Sequence, residues 1–154
     1  MCVRLRPLRE DEFEDWLSRS REEYAQEMVE HGGFPETEAR EKAHDDFAGL
    51  LRDGLRTAGQ ILLALEDDAS GERVGHVWLT ERRGALGILD VYVEDGLRGR
   101  GYGRAAMLMA EDEARRRGFE RINLNVFAGN AIARSLYTSL GYQERSVYMS
   151  KSLT

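Results

Sequence analysis

The run Arg98-Gly99-Arg100-Gly101-Tyr102-Gly103 sits between a stretch that reads as a strand, residues 86–93, and one that reads as a helix, residues 103–117. Alternate glycines let the backbone turn tightly and let a ligand come close without a Cβ in the way. The first amides of the following helix have no partner inside it, and with the helix dipole they favour an anion. Arg98, Arg100 and Arg104 add positive charge around the turn. The junction is chemistry for holding phosphate, although a glycine turn on its own can be no more than a loop.

The spacing narrows the choice. Gly99, Gly101 and Gly103 are followed by Ala106, which fits the dinucleotide interval Gly-x-Gly-x-x-Gly poorly, and the Gly-Lys-Ser/Thr ending of a nucleoside-triphosphate loop is missing.

Composition bounds the remainder. A chain of 154 residues is expected to form one domain, spanning 1–154, with a hydrophobic core that needs no metal or disulfide. Its formal charge of −6, with both signs dispersed, argues against generic affinity for nucleic acid or an anionic membrane and favours a cationic substrate. Cys2 is the only cysteine, so no internal disulfide forms, and no Cys/His grouping has metal-ligand spacing. The expectation is a cytoplasmic protein without a structural metal. Residues 1–17 lack the apolar middle of a secretory signal, and no run approaches the ~18 apolar residues of a membrane span.

Along the chain, residues 2–6 read as an edge strand ended by Pro7. Phe13, Trp16, Leu17 and Tyr24 share a helical face over residues 10–30, before Gly32-Gly33-Phe34-Pro35 breaks the pattern. A second helix carries Ala39, Ala43, Phe47 and Leu50 to about Leu51. Strands follow at 60–66, 73–80 and 86–93. Beyond the glycine turn comes a helix with Ala106, Met107, Ala110 and Ala114 toward the sheet and Gly118 as its stop. Ile122, Leu124 and Val126 alternate as another strand, a helix opens near Asn130 and ends around Gly141, and residues 142–149 read as a last strand. The order β-α-α-β-β-β-α-β-α-β predicts an α/β fold, a mixed, mainly antiparallel sheet flanked by helices.

Two motifs then occur in order. Arg98, Gly101 and Gly103 fill the signature Arg/Gln-x-x-Gly-x-Gly/Ala, and the segment from Asn130 to Tyr142 fits Asn-x-x-Ala-x-x-Leu-Tyr-x-x-x-Gly-Phe/Tyr through Asn130, Ala133, Leu136, Tyr137, Gly141 and Tyr142. On these residues the chain resembles the GCN5-related N-acetyltransferases (GNAT), which transfer acetyl groups from acetyl-CoA. The resemblance covers residues 75–149, and the long N-terminal helical pair also resembles that of some small bacterial members. One departure is Glu94-Asp95 where the family often has Asp-Pro, which loses rigidity but spares the glycine turn.

The resemblance implies roles. Acetyl-CoA would lay its pyrophosphate on Arg98, Gly99, Arg100, Gly101, Tyr102, Gly103 and Arg104, and its pantetheine along Val91 and Val93, where the strand splays from residues 122–126. Asn130, Ala133 and Tyr137 complete the donor side. Tyr137 would give a proton to the departing thiolate, and the Val93 amide would steady the carbonyl oxygen as charge develops. Read without the resemblance, Asn130 is a helix cap, Tyr137 can simply pack, and the Val93 amide is an ordinary sheet donor.

On the acceptor side, Asp90 and Glu94 are candidate bases that could equally close salt bridges. Asn125 would contact acceptor or water, or face solvent. Glu22, Tyr24, Glu27 and His76 would shape the pocket, although a lone histidine within Val74-Gly75-His76-Val77-Trp78 is no metal constellation.

The expected function is direct transfer of acetyl from acetyl-CoA to a primary amine of a small molecule or peptide. A lysine-like amine is neutral in only about one molecule in 2500 at pH 7, so forming the nucleophile costs ~4.6 kcal/mol and needs a carboxylate, a water chain or a desolvating pocket. Cys2 has no recognisable His partner and is a poor nucleophile. The rival readings are an acyl-CoA-binding module without transfer and a protein-interaction domain built on the N-terminal helices, which would also suit a homodimer.

Overall fold

The computed structural model describes residues 2–154. Five strands form one sheet in the order β1-β2-β3-β4-β5: β1 Val3–Pro7, β2 Gln60–Asp67, β3 Arg73–Arg82, β4 Ala85–Val93 and β5 Ile122–Leu124. Strands β1 to β4 pair antiparallel, and β4 and β5 pair parallel. Turns with left-handed glycines, Gly71 and Gly84, join β2 to β3 and β3 to β4. The change to parallel pairing follows from the helical crossover, α3 Tyr102–Arg116, which returns the chain to the same end of the sheet.

Each face of the sheet carries its own core. Helices α1 Glu10–Gly32 and α2 Glu36–Leu50 cover one face, where Trp16 and Phe47 close on Leu62, Ala64 and Trp78. Helix α3 covers the other with Ala106, Met107, Ala110 and Ala114 against Leu65, Val77, Leu79 and Leu86. Alternation along each strand supplies both faces at once, which is why β2 and β3 are buried almost end to end. Helix α4 Ala131–Ser139 adds Leu136 and Tyr137 to the α3 side.

An ionic cluster pins the start of α1 to the sheet. Arg6 of β1 binds Glu66 (2.6 Å) on β2 and Glu12 (2.8 Å) on α1. Arg6 holds the Glu12 carboxyl down at about 2.

The fold class is the one expected, and two strand ends differ. Pairing in β5 stops at Leu124, so Val126 lies beyond the strand. Residues 142–149 form no strand. Past the half-buried Tyr142, this stretch is exposed, with Val147, Tyr148 and Met149 each more than two-thirds accessible. Their apolar alternation gives strand propensity, but a strand needs a partner ladder and no neighbouring strand lies against them. Among the described residues no helix is long and apolar enough to cross a membrane.

Candidate active site

Strands β4 and β5, the last pair of the sheet, part partway along β4. They pair at Leu86–Ile122, Gly87–Asn123 and Ile88–Leu124 and nowhere beyond. Opposite Trp78 and Leu79 of β3, the register skips Leu89, so a bulge bends β4 where the pairing ends. The Glu94 N–H bonds the Val74 carbonyl (2.9 Å) on β3, and alternation therefore turns the Val93 N–H the other way, into the gap. The side chains of Val91 and Val93 lie on the α3 side, whereas Asp90 and Tyr92 face His76 beneath α1.

The glycine turn opens onto this gap. Gly99 (φ 77°) and Gly101 (φ 91°) are left-handed, a conformation that penalises any Cβ. The first α3 bond runs from the Ala105 N–H to the Gly101 carbonyl, which leaves the Tyr102, Gly103 and Arg104 amides without helical partners. No side chain caps them.

The basic residues divide the work. Arg98 is engaged: its Nε donates to the Val93 carbonyl (3.0 Å), it pairs with Asp95 (3.1 Å), and it lies over the Tyr92 ring. Arg104 donates to Ser139 Oγ (2.7 Å) and ties α3 to α4. Arg100 is exposed and makes no side-chain hydrogen bond among the described residues. Tyr102 contributes to the turn through its backbone. Its side chain is buried and donates to Asp67 (2.9 Å), so only its amide faces the turn.

Asn130 caps α4, its Oδ1 accepting from the Ala133 N–H (3.2 Å), and so sets the helix that presents Tyr137. Tyr137 is half-buried. Burial first, then Asp90 and Glu27, push its hydroxyl above the usual tyrosine range and keep it protonated at neutral pH.

Across from Tyr137 lies a polar cluster beneath α1. His76, only 3% accessible, brings Nε2 to 2.7 Å from Asp90 Oδ2 and 3.4 Å from Ser20 Oγ. Its ring stacks on Tyr92 and meets the edge of Trp16. Donor atoms of Glu23, His76 and Asp90 all lie within 4.8 Å of one another. A divalent ion with bonds of about 2.0–2.2 Å would have to open the 2.7 Å histidine–aspartate bond, which already satisfies both groups. Burial, then the Asp90 charge, pushes the Glu23 carboxyl up to about 7. Glu27, one turn farther along α1, is raised by the same two causes in the same order.

Three acceptor-side residues named from the sequence make contacts of their own. Glu94 accepts from Arg19 (2.8 Å), so its carboxylate closes an ion pair with α1. Glu22 faces away and pairs with Arg40 (2.9 Å) on α2, since one helical residue separates it from the Glu23 stripe. Tyr24 donates to Asp46 (3.1 Å) and packs on Phe47, which makes it a tie between α1 and α2. Asn125 stands exposed just past β5. Sequence reasoning missed Glu23 and Ser20. The signal was there in Trp16, Ser20, Glu23 and Glu27, which recur at helical spacing on one stripe and carry polar groups down an otherwise buried face.

Comparison with known proteins agrees with this geometry. The profile of the acetyltransferase (GNAT) family matches residues 5–142. The uncharacterized N-acetyltransferase YycN of Bacillus subtilis (strain 168) is 32% identical over 157 residues, covering 99% of this chain and 100% of that protein. The crystal structure of YycN superposes with a TM-score of 0.92 at 31% identity, over 99% of both chains. The PaiA N-acetyltransferase of Thermoplasma acidophilum, solved in complex with coenzyme A, shares the fold at a TM-score of 0.73 and 18% identity, over 96% of this chain and 94% of that one. Proteins of this fold transfer acyl groups from acyl-CoA to amines. With the parted strands, the glycine turn and the Asn130–Tyr142 segment inside the matched region, the chain belongs to the GNAT family of acetyltransferases.

Proposed function

We propose that this protein transfers an acetyl group from acetyl-CoA to a primary amine by direct attack. The observation that carries the reading is the end of β4–β5 pairing at Ile88–Leu124, which frees the Val93 amide beside an uncapped helix start and across from Tyr137. The coenzyme A bound to the PaiA protein supports the choice of donor by analogy.

The residues present suit that donor. The free amides of Tyr102, Gly103 and Arg104, with Arg100 beside them, match a pyrophosphate. An open strand edge at Val91 and Val93 matches the amide-bearing pantetheine arm. Acetyl-CoA supplies an activated thioester carbonyl, and the chain supplies the rest. The Val93 N–H donates to the carbonyl oxygen as it becomes negative. Tyr137, held protonated, gives its proton to the sulfur that leaves.

The amine enters from the α1 side. Glu23, Glu27 and Asp90 line that side with carboxyl groups, and a protonated primary amine, which can both pair with a carboxylate and give up a proton to one, is the complementary ligand. The chain therefore works on a small cationic amine or the amine of a peptide.

The test is an acceptor library incubated with acetyl-CoA, reading both CoA release and the acetylated product by mass spectrometry. The proposal expects stoichiometric release and product for at least one cationic amine. Acetyl-CoA binding with no product from any amine would reduce the protein to a donor-binding module.

A further inference from the structure

Resting on the transfer reading above, we infer that Glu23 of α1 is the base that takes the proton from the acceptor ammonium, with the His76–Asp90 pair beneath it as a positioning unit. Four observations single it out.

First, of the other acids around the cleft two are spoken for, and the third, Glu27, is exposed and lies outside the Glu23–His76–Asp90 cluster. Asp90 is bonded to His76 at 2.7 Å, and Glu94 is bonded to Arg19 at 2.8 Å. Among the described residues, Glu23 makes no side-chain hydrogen bond and no ion pair although it is largely shielded from water. Second, its carboxylate lies within 4.8 Å of both a ring nitrogen of His76 and the Asp90 carboxylate, a separation that one water or one ammonium spans. Third, Asp90 is the carboxylate whose charge bears most on both Glu23 and Tyr137, so the base and the acid share one neighbour. Fourth, the groups around Glu23 hold its affinity for a proton near neutrality. Burial and then the Asp90 carboxylate of β4 favour the protonated form, and His76 of β3, Arg19 of α1 and Arg98 of the glycine turn oppose it. The outcome is a carboxyl at about 7, where a base both stands free and accepts a proton usefully.

The proton balance closes. One proton of R–NH3+ passes to the Glu23 carboxylate, giving R–NH2 and a neutral carboxyl. The nitrogen lone pair forms the C–N bond at the thioester carbonyl, and the C–S bond breaks with its pair on sulfur. Tyr137 protonates that sulfur and recovers a proton from the acylated nitrogen. Glu23 then returns its proton to solvent, so each turnover yields the amide, CoA–SH and one H+.

His76 acts through Asp90. Buried between Trp16 and Tyr92, it fixes the Asp90 carboxylate, and Asp90 sets the charge that Glu23 feels.

The test uses two amines of nearly equal shape. Ethylamine is almost wholly protonated at pH 7, whereas the fluorines of trifluoroethylamine leave it mostly neutral and in no need of a base. With the full chain and saturating acetyl-CoA, Glu23→Gln should lower kcat/KM for ethylamine at least tenfold more than for trifluoroethylamine, and should remove the neutral-pH limb of the ethylamine profile. Glu22→Gln, on the exposed face of the same helix, should leave the ratio of the two amines unchanged. His76→Gln should shift the ethylamine limb without abolishing it. Equal losses for both amines in Glu23→Gln, or no turnover of either amine by the wild-type chain with acetyl-CoA bound, overturns the assignment. Failure of acetyl-CoA to bind at all, read by calorimetry, instead strikes the transfer reading beneath it.

Discussion

At the scale of single residues, the proposed mechanism gives Tyr137 and Glu23 opposite ends of one proton transfer, and each can be tested alone. Tyr137→Phe keeps the ring that packs on the α3 side and removes only the acid. We expect turnover to fall about 100-fold while acetyl-CoA affinity stays within a few-fold, a split that steady-state kinetics beside calorimetry will show. Glu23 also leaves a mark on stability. Its carboxyl binds a proton more tightly in the folded chain, at about 7 against an ordinary 4.5. Below 4.5 both states hold the proton. As pH rises through that window the unfolded chain loses its proton first, so stability falls, and above 7 the cost is complete. Glu23→Gln should therefore be more stable than wild type by ~1–2 kcal/mol at about pH 8, after allowance for solvent screening, and no more stable below pH 4.5. Urea unfolding at the two pH values measures this. Tyr137 was legible in the sequence because its helix carries a dense motif, and Asp90 because strand alternation turns it away from Val91. Glu23 was not, since its value comes from His76 and Asp90, residues 53 and 67 positions away that only the folded sheet brings under α1.

At the scale of elements, the site is a by-product of two interruptions. A bulge ends the β4–β5 ladder, and a pair of left-handed glycines starts α3 without a cap. Gly75 guards the first of these. A Cβ there would fall 2.0 Å from the Tyr92 carbonyl oxygen, so β3 and β4 touch too closely for any side chain. Gly75→Ala should cost about 3 kcal/mol and weaken acetyl-CoA binding together, because the strand it displaces carries Val93; denaturation and calorimetry read the two effects. The second interruption was legible, as glycine punctuates sequence whatever surrounds it. The splay was not, because a strand ladder that stops depends on a bulge with no residue signature of its own. The clamp at the other end of α1 is ionic. Arg6→Ala would remove the partner that Glu66 and Glu12 share while Arg4 still holds Glu66 at 2.9 Å, and should destabilise the chain by roughly 1.5–3 kcal/mol at neutral pH. The same substitution should blunt the acid sensitivity of Glu12, whose contribution is present above pH 4.5 and is lost as pH falls toward about 2.

At the scale of the whole molecule, helices cover both faces of one sheet, and in the proposed reaction donor and acceptor approach the parted strands from opposite sides. The fold class was readable because periodicity switches cleanly between helical and alternating stretches over most of the chain. It misled over residues 142–149, where apolar alternation gives a strand's propensity without a partner to pair with. A ligand that binds only this folded arrangement must stabilise it. Acetyl-CoA at 100 times its dissociation constant adds ~2.7 kcal/mol, which in a chain of this size should raise the melting temperature by roughly 5–10 °C. The most direct measurement is a crystal structure of the chain with coenzyme A. The account predicts the pyrophosphate on the amides of residues 102–104, the pantetheine along Val91 and Val93, and the sulfur within hydrogen-bonding reach of the Tyr137 hydroxyl. Coenzyme A bound anywhere else on the molecule, or with its sulfur turned away from Tyr137, would contradict it.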